Sequence, residues 1–520
     1  MTSALLVTAN AKKINYGITI NEFAAIPPNI PMGLLNSYMN SNGVETDIID
    51  AEIEGYSYDE LIEHIHEKDP VLLGVIACGA NPSASTQSMV GVIRLFEKIN
   101  LLKDVSFKTF IWGGHPTVLP ERTLRETKAD FIIIGEGYDT SVGLFEHVTR
   151  GKSLTQIPGL AYYDDDKFML NPASPLFKVD SLPLIDWSKM NPNRLRAHNW
   201  HCFGEDINNR SPYAIIWTSL GCPYPCDFCC INNVFEKRTH RFRSMKSVVA
   251  EIDILVNDYG VKHLKILDEL FIVKHPRIDE FCDLLEDRNY DLNIWCFSRT
   301  DTVSPNILKR LKGVGLNWVA YGFESFDGDI LDSTNKRSKA DVYQTVKMTR
   351  DAGIYICADV IAGLWDDDAK SIQATRNFMF KNDFEWINVY PAYGYPGTPL
   401  FNKYYSEGII DEPKTWDIYG LYSYETIPLP TKYLSSAEVL RARDEMFDGY
   451  YNDPDVLSMI EKKFGLETRK HVKNMASVPL KRRILEPGNE NLGHPAGGRL
   501  AHSRKDKIEL NLNPEFSKTV

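Results

Sequence analysis

Three cysteines within eight residues constrain this chain more than any other feature. The stretch reads Gly221-Cys222-Pro223-Tyr224-Pro225-Cys226-Asp227-Phe228-Cys229, with Cys230 next, and it follows an apolar run at 213–219. A CxxxCxxC spacing gathers soft thiolates, and clustered thiolates select zinc, copper(I) or iron–sulfur clusters. A closed four-thiolate site suits zinc or an electron-transfer cluster. Here three cysteines hold the spacing, and Cys230 adjoins Cys229. Adjacent cysteines rarely ligate one metal, so Cys230 is expected to point elsewhere. Three thiolates on a four-iron cluster leave one iron open to a small molecule.

At 520 residues the chain has room for two or three domains. Its 43% apolar content supplies large cores. A net charge of −12 argues against a general nucleic-acid or anionic-membrane binder, though not against a local basic groove. Nine cysteines over this length are no disulfide scaffold, which points to a reducing, cytoplasmic setting. Residues 1–10 lack the basic region and long apolar core of a signal peptide. No run approaches the roughly 18 apolar residues of a membrane span.

Residues 1–150 alternate short apolar runs (4–7, 46–49, 71–77, 109–112, 131–134) with helical patterns at 31–42, 57–68, 85–99, 119–127 and 140–150. Ser57 with Glu60 forms a capping box, and Gly43 follows a helix as a stop signal. Five strand–helix units with apolar strands predict a parallel, doubly wound Rossmann-like sheet, whose ligands bind at the carboxyl ends of the strands. Those ends carry Thr8 and Asn10, then Cys78-Gly79-Ala80-Asn81, Gly113-Gly114-His115-Pro116-Thr117, and Gly135-Glu136-Gly137. No GxGxxG fingerprint follows the first strand, which counts against a nicotinamide cofactor. Residues 151–211 read as a linker containing a hairpin at 159–170.

A second alternation fills 212–400. Strands are expected at 213–219, 263–267, 293–297, 317–322, 355–361 and 386–390, with helical patterns between them at 245–259, 276–288, 305–313, 339–352 and 368–381. This spacing predicts a partial (β/α)6 barrel with the cysteine stretch after its first strand. Polar residues at the carboxyl ends of barrel strands read as active site. They are Asp268 and Glu269, Ser298 and Arg299, and Glu324, with Gly363 closing the fifth strand. Residues 401–475 read as a helical C-terminal region with many aromatics, able to cover the barrel mouth, and residues 476–520 as a mobile tail. The basic loop 237–243 reads first as a solvated face.

The CxxxCxxC stretch, with Phe228 before its third cysteine, resembles the radical S-adenosylmethionine (SAM) superfamily. The Gly-Gly-His-Pro-Thr and Ile-Gly-Glu-Gly pieces ahead of it resemble the B12-binding domain of cobalamin-dependent radical SAM enzymes. The resemblance implies that Cys222, Cys226 and Cys229 are the catalytic metal ligands of a [4Fe-4S] cluster whose open iron chelates SAM. It places Asp268 or Glu269 near the SAM amino group, Glu324 on the ribose and the backbone near Ile361 to Gly363 at the adenine. Phe228, Ser298 and Arg299 complete the implied SAM site. It gives cobalamin to Thr8, Asn10, Cys78–Asn81, Gly113–Thr117 and Gly135–Gly137. One departure stands out. Many such domains place Asp-x-His-x-x-Gly after the first strand, and here residues 10–17 contain no histidine. His115 is the histidine on a ligand-facing loop, and it reads as a structural or tail contact rather than a cobalt ligand.

The implied function is methyl transfer to an unactivated carbon of a small molecule or natural product, through a 5′-deoxyadenosyl radical and methylcobalamin. The alternatives are a cobalamin-assisted rearrangement or cyclisation, and a non-catalytic cobalamin sensor. Partners implied are a small-molecule substrate and an electron donor such as flavodoxin or ferredoxin. A methylthiotransferase would need a second cysteine trio, and residues 1–150 hold only Cys78.

Overall fold

Two parallel sheets emerge from the two alternations. The computed structural model describes residues 3–20, 23–79, 81–103, 105–235, 237–338 and 340–492. The first sheet contains β1 (Ala4–Thr8), β2 (Thr46–Asp50), β3 (Leu72–Ile76), β4 (Lys108–Trp112), β5 (Phe131–Ile133), β6 (Leu160–Asp164) and β7 (Lys167–Leu170), in the order β2-β1-β3-β4-β5-β6-β7. The first five strands are parallel, and β1 and β3 are buried along their whole length, as strands covered by helices on both faces must be. The strand order reverses at β1, which puts a crevice beyond the carboxyl ends of β1 and β3. Helices at Ile30–Ser41, Tyr58–Lys68, Ala84–Ile99, Pro120–Thr127 and Tyr138–Arg150 fall close to their expected bounds. The Ser57–Glu60 capping box is formed.

The linker is less separate than its sequence implied. Its hairpin, β6 and β7, pairs antiparallel to β5 and so extends the first sheet. Ile185, Trp187, Leu195 and Phe203 then join one apolar core that runs from this sheet into the second unit. The linker is a seam of packed side chains because its apolar residues have two cores to fill.

The second sheet contains β8 (Tyr213–Ile216), followed by a two-stranded ribbon of β9 (Ser219–Leu220) and β10 (Arg241–Phe242). It continues with β11 (His263–Ile266), β12 (Asn293–Ser298), β13 (Leu316–Glu324), β14 (Tyr355–Ala362) and β15 (Trp386–Pro391). Its order, β15-β14-β13-β12-β11-β8, follows the chain, and the edges β15 and β8 do not pair, so the barrel is open. The cysteine stretch is the loop between the two ribbon strands. The C-terminal helix Ser436–Tyr451 starts on its own capping box and lies against β15. There the Tyr451 hydroxyl accepts from Ile387 N and donates to Ile387 O, both at 2.9 Å. Covering an edge strand in this way removes its free pairing surface.

The tail begins later than its composition implied. Arg482 is buried, donates to Leu421 O and Ser423 O, and pairs with Asp444 at 3.1 Å. Ile484 is buried beside Leu440. Residues 479–492 are therefore fixed by a buried guanidinium and an apolar anchor, while 493–520 lie outside the described residues.

Candidate active site

The carboxyl ends of β1 and β3 and those of the barrel strands open on one cavity of about 630 Å³. Its walls come from three distant parts of the chain: the first sheet, the barrel, and the C-terminal region at Leu421, Tyr422, Arg443 and Phe447. The ring of Tyr16, from the helix after β1, stacks on Tyr422 at 5.8 Å across this junction. The aromatic C-terminal segment thus serves both uses its composition allows, with Tyr422 on the cavity wall and Trp416 and Tyr419 in a core.

Cys222, Cys226, Phe228 and Cys229 all line this cavity, and so does Cys230. The loop enters through Gly221 at φ +85°, where an added Cβ would stand 2.4 Å from Thr239 O, so a glycine is needed there. Burial pushes the thiols of Cys222, Cys226 and Cys229 above their ordinary range. At Cys226 the cations Lys336 and Arg299 act in the opposite sense and favour the thiolate.

Among the barrel residues, Glu269, Ser298, Arg299 and Glu324 line the cavity. The Glu269 carboxylate has no hydrogen-bond partner among the described residues, and burial raises it to about 7. Glu324 ends β13 at a bulge, in the left-handed region at φ +61°, and accepts from Lys336 Nζ at 2.8 Å. A left-handed non-glycine residue costs about 1–3 kcal/mol, which the fold supports through that buried ion pair. Burial lowers Lys336, but the charges of Glu324 and Cys226 more than restore it, and the net shift is upward. Arg299 spends two nitrogens on Asp301, each at 2.8 Å, and stacks 3.9 Å from the Tyr224 ring centre.

Two of the expected barrel positions lie off the cavity wall, each beside a neighbour that is on it. Asp268 is off the cavity wall, because its carboxylate accepts from Thr218 N, Thr218 Oγ1 and Ser219 Oγ at 2.5–2.6 Å and fixes the start of the cysteine loop. Gly363 is also off the wall. It packs against Val439 and donates to Asp367 at 3.0 Å, while its neighbour Ile361 faces the cavity.

The first sheet divides in the same way. Thr8, Cys78, Gly79 and Asn81 line the cavity, and Ala80 lies outside the described residues. Asn10 turns away to donate to Ala51 O and Tyr56 O. Gly113, Gly114, His115, Pro116 and Thr117 are not on the wall. A Cβ on Gly113 would stand 2.1 Å from Ala77 O, Gly114 lies against Val234, and Thr117 accepts from Gly135 N. The His115 ring is buried edge-on to Trp416 at 4.3 Å, with Nδ1 3.2 Å from Thr86 Oγ1. Gly135, Glu136 and Gly137 are likewise off the wall. Gly137 sits under Trp112, and Glu136 pairs with Arg241 at 2.5 Å, so the basic loop is in part a buried ion pair rather than a solvated face. Of these small residues, Gly113 and Gly137 pack within the first unit, and Gly114 and Gly135 approach Val234 of the cysteine loop.

The sequence reading missed several wall residues: Lys12, Asn15, Glu52, Lys265, Lys336, Asp359 and Tyr390. Lys265 and Asp359 sit in mid-strand, where an apolar core is the default. An ionisable residue inside an otherwise apolar strand was the available signal.

The model of the Radical SAM superfamily matches residues 218–379, and that of the B12 binding domain matches residues 16–145. The chain belongs to the cobalamin-dependent radical SAM enzymes. It is 26% identical to an uncharacterized methyltransferase, PH0819, of Pyrococcus horikoshii, over 79% of this chain and 85% of that protein. It is also 26% identical to the anaerobic magnesium-protoporphyrin IX monomethyl ester cyclase of Cereibacter sphaeroides, over 78% of this chain and 62% of the cyclase. The fold superposes on the radical SAM methyltransferase TsrM from Kitasatospora setae, solved with cobalamin and a [4Fe-4S] cluster, with a TM-score of 0.62 at 18% identity, covering 79% and 80% of the two chains.

The cofactors of such a cobalamin-dependent radical SAM enzyme are a [4Fe-4S] cluster, SAM and cobalamin, and the residues present fit them. Three thiols share one wall with nearby cations. Asn15 Oδ1 is buried on the wall without a partner, which suits a polar ligand. Among the described residues no three His, Cys, Asp or Glu side chains meet closely enough for a single ion, whereas ligands of a cluster bind different irons and need not converge. No described helix is long and apolar enough to cross a membrane.

Proposed function

We propose that this enzyme transfers a methyl group to an unactivated carbon of a small molecule. The observation that carries the reading is the shared cavity: residues of the first sheet's crevice and the cysteine stretch of the barrel line one space. When bound, the three cofactors supply radical hydrogen abstraction and a transferable methyl group. The protein binds, orients and excludes water. Cys222, Cys226 and Cys229 hold the cluster. Glu269 takes the SAM ammonium, and Glu324, steadied by Lys336, takes the ribose hydroxyls. The backbone near Ile361 meets the adenine, and Phe228, Ser298 and Arg299 complete this side. Thr8, Cys78, Gly79 and Asn81 contact the corrin. Tyr16 on Tyr422 keeps solvent from a reactive centre. The methyltransferase names of the Pyrococcus relative and of TsrM support this reading. An electron donor such as flavodoxin or ferredoxin in a reducing cytoplasm completes it.

A second reading, cobalamin-assisted cyclisation or rearrangement, is favoured by the likeness to the Cereibacter cyclase. Incubation with methyl-labelled SAM and candidate substrates separates the two. Methylation gives a labelled product with both 5′-deoxyadenosine and S-adenosylhomocysteine. An unlabelled, cyclised or isomerised product rules it out. Failure of the reconstituted protein to cleave SAM would leave a cobalamin sensor.

A further inference from the structure

Lys265 lies in the middle of β11 between apolar neighbours and is 2% exposed, yet it lines the cavity. Its Nζ has one hydrogen-bond contact, to Asn81 Oδ1 at 3.5 Å, and no carboxylate within 4.0 Å among the described residues. The ammonium lies 4.6 Å from the ring centre of Trp295 and 5.1 Å from that of Phe297. Cation–π contacts recover only part of what burying an unpaired ion costs. The carboxylates that act on Lys265, Glu269 and Asp359, do so from beyond ion-pair distance, and Asp359 already accepts from Asn388 at 2.8 Å. A buried cation that faces a cavity without a counter-ion is an anion site. Trp295, Phe297, Trp200 and Trp386, all on the same wall, add flat apolar surface beside it.

We propose that Lys265 holds a carboxylate of the substrate, whose flat, apolar body lies against Trp295 and Phe297. Asn81 belongs to the first sheet and Lys265 to the barrel, so a carboxylate here touches both sides of the domain seam. The substrate class is therefore a planar, aromatic-like acid. This assignment rests on the cavity being the active site, and it goes further by naming what the far wall recognises. Charge-assisted bonds to a desolvated lysine discriminate strongly between an acid and its isosteric amide.

The test is a binding measurement on the holoenzyme, reconstituted anaerobically with cluster and cobalamin and saturated with SAM. Indole-3-acetate and indole-3-acetamide serve as probes, followed by tryptophan fluorescence and calorimetry. The wild type is expected to bind the acid about tenfold or more tightly than the amide. Lys265→Met should abolish that preference, and Lys265→Arg should restore most of it. SAM affinity should be equal in all three proteins. An acid-to-amide ratio near one in the wild type overturns the proposal, as does a preference that survives in Lys265→Met. A SAM affinity that falls tenfold in Lys265→Met also overturns it, because the carboxylate held would then be that of SAM. A wild-type ratio near one overturns the proposal even where the methionine variant fails to fold, and Lys265→Gln then serves as the second variant in which the preference must vanish. Binding is read without turnover, so a failure here is separate from a failure of the labelled-methyl experiment.

Discussion

Arg241 and Glu136 join the two halves of this enzyme. The guanidinium meets both carboxylate oxygens, at 2.5 and 3.0 Å, and also donates to Phe177 O at 2.7 Å. Glu136 belongs to the loop after β5, Phe177 to the linker and Arg241 to the ribbon that carries the cysteine loop. One ion pair thus fixes the cluster-bearing ribbon against the first sheet. Removing one partner of a buried pair leaves the other charge unsolvated and costs about 3–5 kcal/mol. Glu136→Ala should lower unfolding stability by about that amount in urea titrations. The double variant with Arg241→Ala should recover part of the loss, and additive single effects would show that the pair is uncoupled.

Iron content should sort the four neighbouring cysteines. Alanine at Cys222, Cys226 or Cys229 should each lower reconstituted iron and abolish SAM cleavage. Cys230→Ala should keep both, although Cys230 also reaches the cavity. Loss of the cluster in Cys230→Ala, with an intact cluster in any of the other three, would reverse the assignment.

His115 should matter for stability and not for cobalt. Burial holds its ring neutral, with a pKa lowered to about 3, and Trp416 covers one edge. His115→Ala should cost about 1–3 kcal/mol of stability. The cobalt(II) resonance of bound cobalamin should be unchanged, whereas a nitrogen splitting that vanishes in the variant would place His115 on the metal.

The wall carboxylates should make the cofactor-free protein less stable as pH rises. Burial raises Asp359 to about 7, against the downward pull of Asn388 and Lys336. A carboxyl raised on folding contributes stability that is full below its unfolded pKa and is lost as pH climbs through the folded value. The window for Asp359 is therefore about pH 4 to 7, with a slope of up to about 1.4 kcal/mol per unit. Asp359→Asn should flatten the fall in melting temperature between pH 5 and 7.5. An unchanged slope would mean that Asp359 is already ionised in the folded protein.

Much of this was legible from periodicity. The strands and helices of both sheets lie where apolar runs, caps and glycine stops put them, because those signals act within a few residues. The cysteine loop was legible for the same reason. Of the loops expected at cobalamin, Thr8, Cys78, Gly79 and Asn81 line the cavity and Gly113–Thr117 and Gly135–Gly137 do not, a division that composition alone does not make. Asp268 and Glu269 are adjacent and chemically alike. Only the fold shows that one is spent on Thr218 and Ser219 while the other faces the cavity.

The C-terminal segment that covers the barrel mouth is fastened to the opposite unit. Trp416 Nε1 donates to Glu126 at 2.9 Å, Gln87 donates to Tyr419 O at 3.1 Å, and Arg122 holds both Glu412 and Pro413 O. Trp416 and Tyr419 pack into the core of the first sheet. Tyr419 also donates to Gly394 O at 2.8 Å, just beyond β15, so residues 412–419 form a strap tied to both units. The seam beside the cavity is therefore held by main-chain acceptors on either side of it, and parting the two units would cost these bonds as well as the Tyr16–Tyr422 stack.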